Sequence, residues 1–174
     1  MIFPLFRREP DTISGLYGMI VAQARLPAFY RDYSVPDTVD GRFELILVHL
    51  FLILRRLDGD IAGRELGQQL FDMFCRDMDK NLREMGVGDL KVPKEMRRMG
   101  EAFYGRAQAY EAALASDDTR VLRTAIVRNV FGTDDTDHVG AARLAAYIVE
   151  AARHLSTQDM ATLNRGVVDF PEPT

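Results

Sequence analysis

The stretch Leu66-Gly67-Gln68-Gln69-Leu70-Phe71-Asp72-Met73-Phe74-Cys75-Arg76-Asp77-Met78-Asp79-Lys80-Asn81-Leu82-Arg83-Glu84-Met85 decides the fold. Leu66, Leu70, Phe74, Met78, Leu82 and Met85 recur at steps of four, four, four, four and three, the period of one helix face and not of a strand. Arg64, Gln68, Asp72, Arg76, Asp79 and Arg83 fall on the opposite side, so one face is wet. The spacing predicts a helix over about Ile61 to Met85, started by the turn chemistry of Asp58-Gly59-Asp60 and stopped by Gly86, which supplies the φ > 0 residue that commonly ends a helix.

The same period continues on both sides. Toward the C-terminus, Pro93 opens a helix with Met96, Met99, Phe103, Ala107, Tyr110 and Leu114 three or four apart, joined to its predecessor by a loop short enough to lay the two side by side. Ser116-Asp117-Asp118 caps a helix from about Thr119 to Val130, and Asp134 to Asp137 starts another from about His138 to His154. Ser156-Thr157-Gln158-Asp159 opens a short last helix. Toward the N-terminus, Asp37 or Thr38 caps an almost wholly apolar helix through Arg56, and a first helix runs from about Ile13 to Arg25, ended by Pro27. Between them lies an irregular segment carrying Phe29, Tyr30 and Tyr33 between two prolines. No segment alternates as a strand does. The expected fold is all-α, a single-domain bundle of six or seven helices over 13–165, with an N-terminal extension (1–12) and a flexible C-terminal tail (166–174), loose or laid over the surface.

Composition agrees with one globular domain: 174 residues, 47% hydrophobic and 28% charged, with a core large enough to fold alone. The formal charge of −4 argues against a dedicated DNA or RNA binder, though not against a local basic patch. A single cysteine, Cys75, excludes an internal disulfide and a thiolate-rich zinc site and suits a reducing, cytoplasmic compartment. Phe43 to Leu54 is shorter than the roughly 20 residues that span a bilayer, so it reads as a buried helix. The N-terminal Met1 to Arg8 has neither the order nor the length of a secretory or transit segment.

Catalytic chemistry has no motif behind it. His49, His138 and His154 are never three or four apart, so the helical His pair of a metalloenzyme is absent. His49 in an apolar helix is more often a hydrogen-bonded core histidine than a ligand, yet it is the one residue from which a metal- or haem-handling enzyme could start. Cys75 has Asp72 and Asp79 at helical spacing, which raise a thiol pKa. No cofactor, metal or small-molecule substrate is expected.

Three features point to binding instead. Met73, Met78, Met85, Met96 and Met99 flank the loop that holds Val87 and Leu90; such methionines fill cores or form adaptable apolar surfaces. Lys91, Lys94, Arg97, Arg98 and Arg106 against Glu95 and Glu101 make a basic face, either merely solvated or directed at anionic lipid or RNA. Phe29, Tyr30 and Tyr33 either anchor a partner or lid the bundle. Read as a client surface, the two apolar regions adjoin and expose Phe29, Tyr30, Tyr33, Met85, Val87 and Leu90, with Lys91, Lys94, Arg97 and Arg98 meeting anions.

Taken together, several stretches resemble the ubiquinol-cytochrome c chaperone family, whose mitochondrial members help make and assemble cytochrome b for respiratory complex III. They are Ala24-Arg25-Leu26-Pro27-Ala28-Phe29-Tyr30, Val35-Pro36-Asp37-Thr38, Gly41-Arg42-Phe43-Glu44, His49, Arg55-Arg56-Leu57, Leu70-Phe71-Asp72, Asp77-Met78-Asp79, Leu82-Arg83-Glu84-Met85-Gly86-Val87-Gly88-Asp89, Met99, Ala102-Phe103-Tyr104-Gly105-Arg106 and Tyr110. The resemblance implies a non-enzymatic assembly chaperone that binds newly made cytochrome b, near the ribosome exit and peripheral to the inner membrane. Because the chain starts almost directly with the family region, a bacterial version is expected, in which a small partner protein and ribosome docking need not exist. A ribosome or RNA adaptor using Lys91 to Arg106 is the remaining alternative.

Overall fold

The computed structural model describes residues 10–116 and 118–174. The order is α1 (Pro10–Ala24), α2 (Pro27–Arg31), α3 (Val39–Leu57), α4 (Ile61–Glu84), α5 (Val92–Ser116), α6 (Thr119–Ile126), a π-helical turn (Val127–Phe131), α7 (Val139–Ser156) and α8 (Met160–Leu163), with no strand among the described residues. The bundle is all-α.

Caps fix the boundaries. Thr38 Oγ1 accepts the Gly41 amide at 3.1 Å, Asp60 Oδ1 that of Gly63 at 2.6 Å, Asp118 that of Arg120 at 2.9 Å and Asp159 that of Ala161 at 3.2 Å. Each satisfies an N–H that the first helical turn leaves without a partner. His138 caps α7 with its ring, Nδ1 accepting the Ala141 amide at 3.3 Å. Gly86, at φ +83°, closes α4 in the left-handed conformation that glycine adopts without steric cost.

α3 is the axis of the molecule. It packs against α1, α4, α7 and the π-turn, which is why residues 45–48 and 50–53 are all buried. α7 presses against the segment after α2 so closely that a Cβ on Gly140 would lie 2.0 Å from the Tyr33 carbonyl oxygen.

Four features depart from the sequence reading. The first helix takes in residues 10–12 of the expected extension, whose residues 1–9 lie outside the described part, as does Asp117 of the α6 cap. The segment after Pro27 is not wholly irregular: proline at the first helical position is pre-organised for a turn, and Pro27–Arg31 coil into α2. The helix predicted to Val130 changes to a π-turn at Val127, one residue per turn wider. The tail has no regular secondary structure but is pinned: Val168 is buried, Gln23 Nε2 donates to the Pro171 carbonyl at 3.1 Å, and Asp169 binds both His154 and Gln158.

Candidate functional site

The aromatic segment proves to be interior. Phe29 is 0% exposed and Tyr33 3%, both packed edge-on in a cluster with His49 and Tyr147. Tyr30 is half-buried, its hydroxyl donating to the Ala24 carbonyl at 2.7 Å. The apolar rings of Phe29 and Tyr33 therefore serve the core, and the expectation that they face a client directly is corrected: α2 turns them under the bundle.

In this cluster every polar atom is answered. The Leu45 carbonyl can only accept, so His49 Nδ1 carries the proton and donates to it at 2.7 Å. Nε2 then accepts from the Tyr147 hydroxyl at 2.9 Å, and that oxygen accepts from Gln23 Nε2 at 3.1 Å. Tyr33 donates to the Thr174 carbonyl at 2.9 Å, and Phe170 covers His49 edge-on. Full burial pushes the His49 pKa down to about 4, so the ring is neutral. With both nitrogens engaged, the lone residue behind an enzyme reading has no free coordination position.

The other side of α3 is open. A groove of about 530 Å³ runs between Val39, Phe43 and Ile46 of α3, Met78 and Leu82 of α4 with Met85 just after it, and Met99 and Ala102 of α5, with Asn129 and Val130 of the π-turn also lining it. The sequence reason is the period: Met78 and Leu82 are the last buried turns of the apolar face of α4, and Met85, just past its end, is left open. Met85 is 57% exposed, unlike Met73, Met96 and Met99, which pack against the core.

The groove is mixed in character: Arg25, Asp40, Arg42, Glu95 and Arg98 also line it, and a buried ion pair sits at its floor. Arg106 grips Glu44 with two parallel bonds, Nε to Oε2 at 2.6 Å and Nη2 to Oε1 at 2.5 Å, with Glu44 only 5% and the Arg106 side chain 22% exposed. Burial raises the Glu44 pKa against the opposing pull of Arg106. Arg106 thus leaves the basic face to which its sequence position assigned it, because a buried carboxylate needs a partner more than the surface needs a cation. Asn129, carried to the groove by the π-turn, lies beside the buried Tyr110 hydroxyl behind the groove wall, and neither that hydroxyl nor Asn129 Nδ2 makes a close hydrogen bond.

The loop after α4 is built, not slack. The Gly86 and Val87 amides close back on Arg83 and Leu82, Arg83 bridges Asp79 at 2.7 Å and also Asp89, and Val92 is buried at the far end. Leu90 at the apex is 97% exposed, Val87 half-buried. Lys91, Lys94, Arg97 and Arg98 are all exposed, only Arg98 having an acidic partner among the described residues, Glu95 at 3.8 Å. The structure thus brings together Met85, Arg98 and the groove, sets Leu90 and the lysines beside it, and keeps Phe29 and Tyr33 apart. Elsewhere Cys75 is half-buried with its thiol pKa raised by burial and by Asp72. No helix among the described residues is long and apolar enough to cross a membrane.

Comparison with known proteins gives this arrangement a family. The chain is 26% identical over 145 residues to ubiquinol-cytochrome-c reductase complex assembly factor 1 of Xenopus laevis, covering 83% of this chain and 72% of the frog protein. It is 29% identical over 143 residues to the mitochondrial protein CBP3 of Saccharomyces cerevisiae, 77% of this chain but only 42% of the yeast one. The crystal structure of the Cbp3 homologue from Brucella abortus superposes with a TM-score of 0.85 at 37% identity, over 99% of this chain and 97% of that one. The family described as ubiquinol-cytochrome C chaperone matches residues 31–170, a span that holds α3, α4, α5 and the π-turn and with them both walls and the floor of the groove. The chain belongs to that family.

Proposed function

We propose that this protein is a non-enzymatic assembly factor for ubiquinol-cytochrome c reductase, which holds newly made cytochrome b at the membrane surface and uses the α3–α4–α5 groove to do so. Family membership over residues 31–170 carries the reading. The groove supports it physically. Its walls carry three methionines that can repack around varied apolar side chains, and its lining keeps the Glu44–Arg106 pair and the Asn129 amide, which a mostly apolar segment with a few polar groups could meet. Rigid capture of one fixed ligand would ask for a more enclosed, fully matched cavity.

A photo-crosslinking residue in place of Met85, with a control at Tyr104 on another face, tests this in respiring cells. Cytochrome b should be the main crosslinked protein at Met85 and absent at Tyr104. Equal labelling at both positions would remove the groove from the reading, and no cytochrome b in any pull-down would remove the client.

A further inference from the structure

The α4–α5 turn joins two properties that soluble surfaces usually keep apart. Leu90, at its apex, is 97% exposed, and Met85 at its root is 57% exposed. Four cations, Lys91, Lys94, Arg97 and Arg98, follow within one loop and two helical turns; against Asp89 and Glu95 they leave residues 85–98 net +2 in a chain of net −4. Asp89 is itself engaged by Arg83, so its charge is already answered.

The exposure of Leu90 is imposed by the fold. On one side Arg83 clamps Asp89; on the other Val92 is buried, and its amide and that of Lys91 both bond to the Gly88 carbonyl, at 3.2 and 2.8 Å. Between two fixed points the apex has one direction left, outward. A rigid turn loses little freedom on binding, and a leucine held in water with nothing to cover it costs free energy in the isolated protein.

We infer that this turn is a membrane-docking element, in which Leu90 and Met85 enter the headgroup layer of an anionic bilayer while Lys91, Lys94 and Arg97 sit against its phosphates. Charge complementarity selects the partner: juxtamembrane cations gain about 1 kcal/mol each near an anionic surface, and an apolar apex gains only where there is an acyl phase to enter. RNA offers the phosphates without that phase. Met85 and Arg98 also line the groove, so its mouth would open at the bilayer, where a membrane-protein segment arrives. The inference deepens the membrane part of the proposed function.

The test uses purified full-length protein and vesicles of phosphatidylcholine with and without phosphatidylglycerol, and needs no cytochrome b, so its failure leaves the client reading untouched. Wild type should sediment with the anionic vesicles and much less with the neutral ones. Lys91→Gln, Lys94→Gln and Arg97→Gln together should weaken this about a hundredfold, near fivefold per cation. Leu90→Ser should weaken it about tenfold. Because the chain has no Trp, Leu90→Trp gives a single reporter, whose emission should shift to the blue on anionic vesicles. Wild type that ignores anionic vesicles overturns the inference. So does an indole emission that stays unmoved when the Leu90→Trp variant has sedimented with them, or a Leu90→Ser variant that binds vesicles normally while the Gln variant loses polyuridylate RNA, which would make the face an RNA surface.

Discussion

His49 and Glu44 stand five residues apart on α3, the two buried polar side chains among the described residues, and they sit in opposite kinds of surroundings. His49 is ringed by Phe29, Tyr33, Tyr147 and Phe170, and every hydrogen-bonding atom there has a partner. Glu44 is gripped by a single arginine at the floor of a groove, with Asn129 in the lining and the Tyr110 hydroxyl behind it, neither closely hydrogen-bonded. One side of the helix is finished as a core is finished; the other retains polar groups that no core needs. Under the proposed function the contrast puts stability on the first side and binding on the second, and mutations can separate them.

The strongest separation is expected at Phe29. Phe29→Ala removes a fully buried ring and should cost about 3–5 kcal/mol, lowering the melting midpoint by roughly 10 °C. Capture of cytochrome b in the cold should be unchanged. A normal midpoint with lost capture would reverse the assignment of the two sides.

Arg106→Ala tests the groove side. It strands a buried carboxylate, an effect of about 3–5 kcal/mol for wholly buried pairs and nearer 2–3 here because Arg106 is 22% exposed. Denaturant titration should show this loss shrinking as pH falls, since Glu44, whose pKa is already raised by burial, then takes up a proton instead. Loss that is independent of pH would mean that Arg106 acts by packing alone.

His49 gives a pH dependence of the other sign. Its folded pKa is depressed, from 6.5 to about 4, so the stability it contributes is complete above 6.5 and is lost as pH falls toward 4. Between pH 7 and 5 that amounts to about 2 kcal/mol, at 1.36 kcal/mol per unit. The difference in unfolding free energy between wild type and His49→Gln should carry this slope, with Glu44 opposing it in both proteins. A flat difference curve would show that the ring is reached by water.

These comparisons also show what the sequence could reveal. The α4 period and the caps at Thr38, Asp60, Asp118 and Asp159 are local, so the bundle was legible from spacing. Pro27 was ambiguous, because the same residue that stops α1 starts α2, and only packing against α3 and α7 turns Phe29 and Tyr33 inward. The Glu44 pairing with Arg106, across 62 residues, has no local signature, yet a signal existed: an acid inside the apolar run Phe43 to Leu54 cannot be buried without a cation. The π-turn left no such trace, and pinning of the tail through Val168 and Phe170 depends on a surface that several helices build together.

The smallest effect concerns the buried hydroxyl behind the groove, next to Asn129. Tyr110 is fully buried, its ring packed edge-on against Phe51 and its hydroxyl beside Asn129 but in no close hydrogen bond, a group that burial and the neighbouring Glu44 charge make hard to ionise. An unsatisfied buried hydroxyl costs about 1–3 kcal/mol, so removing it should help rather than hurt. Tyr110→Phe keeps the ring and is expected to raise stability by about 1 kcal/mol, a shift of roughly 2–4 °C. If the hydroxyl sets the position of Asn129 for a client's polar group, the stabilised variant should capture less cytochrome b, read as Met85 crosslinking efficiency measured side by side with wild type. A variant that is stabilised and captures normally would make Tyr110 a leftover of packing. A destabilised one would show that the hydroxyl is bound after all, with Asn129 beside it as the partner.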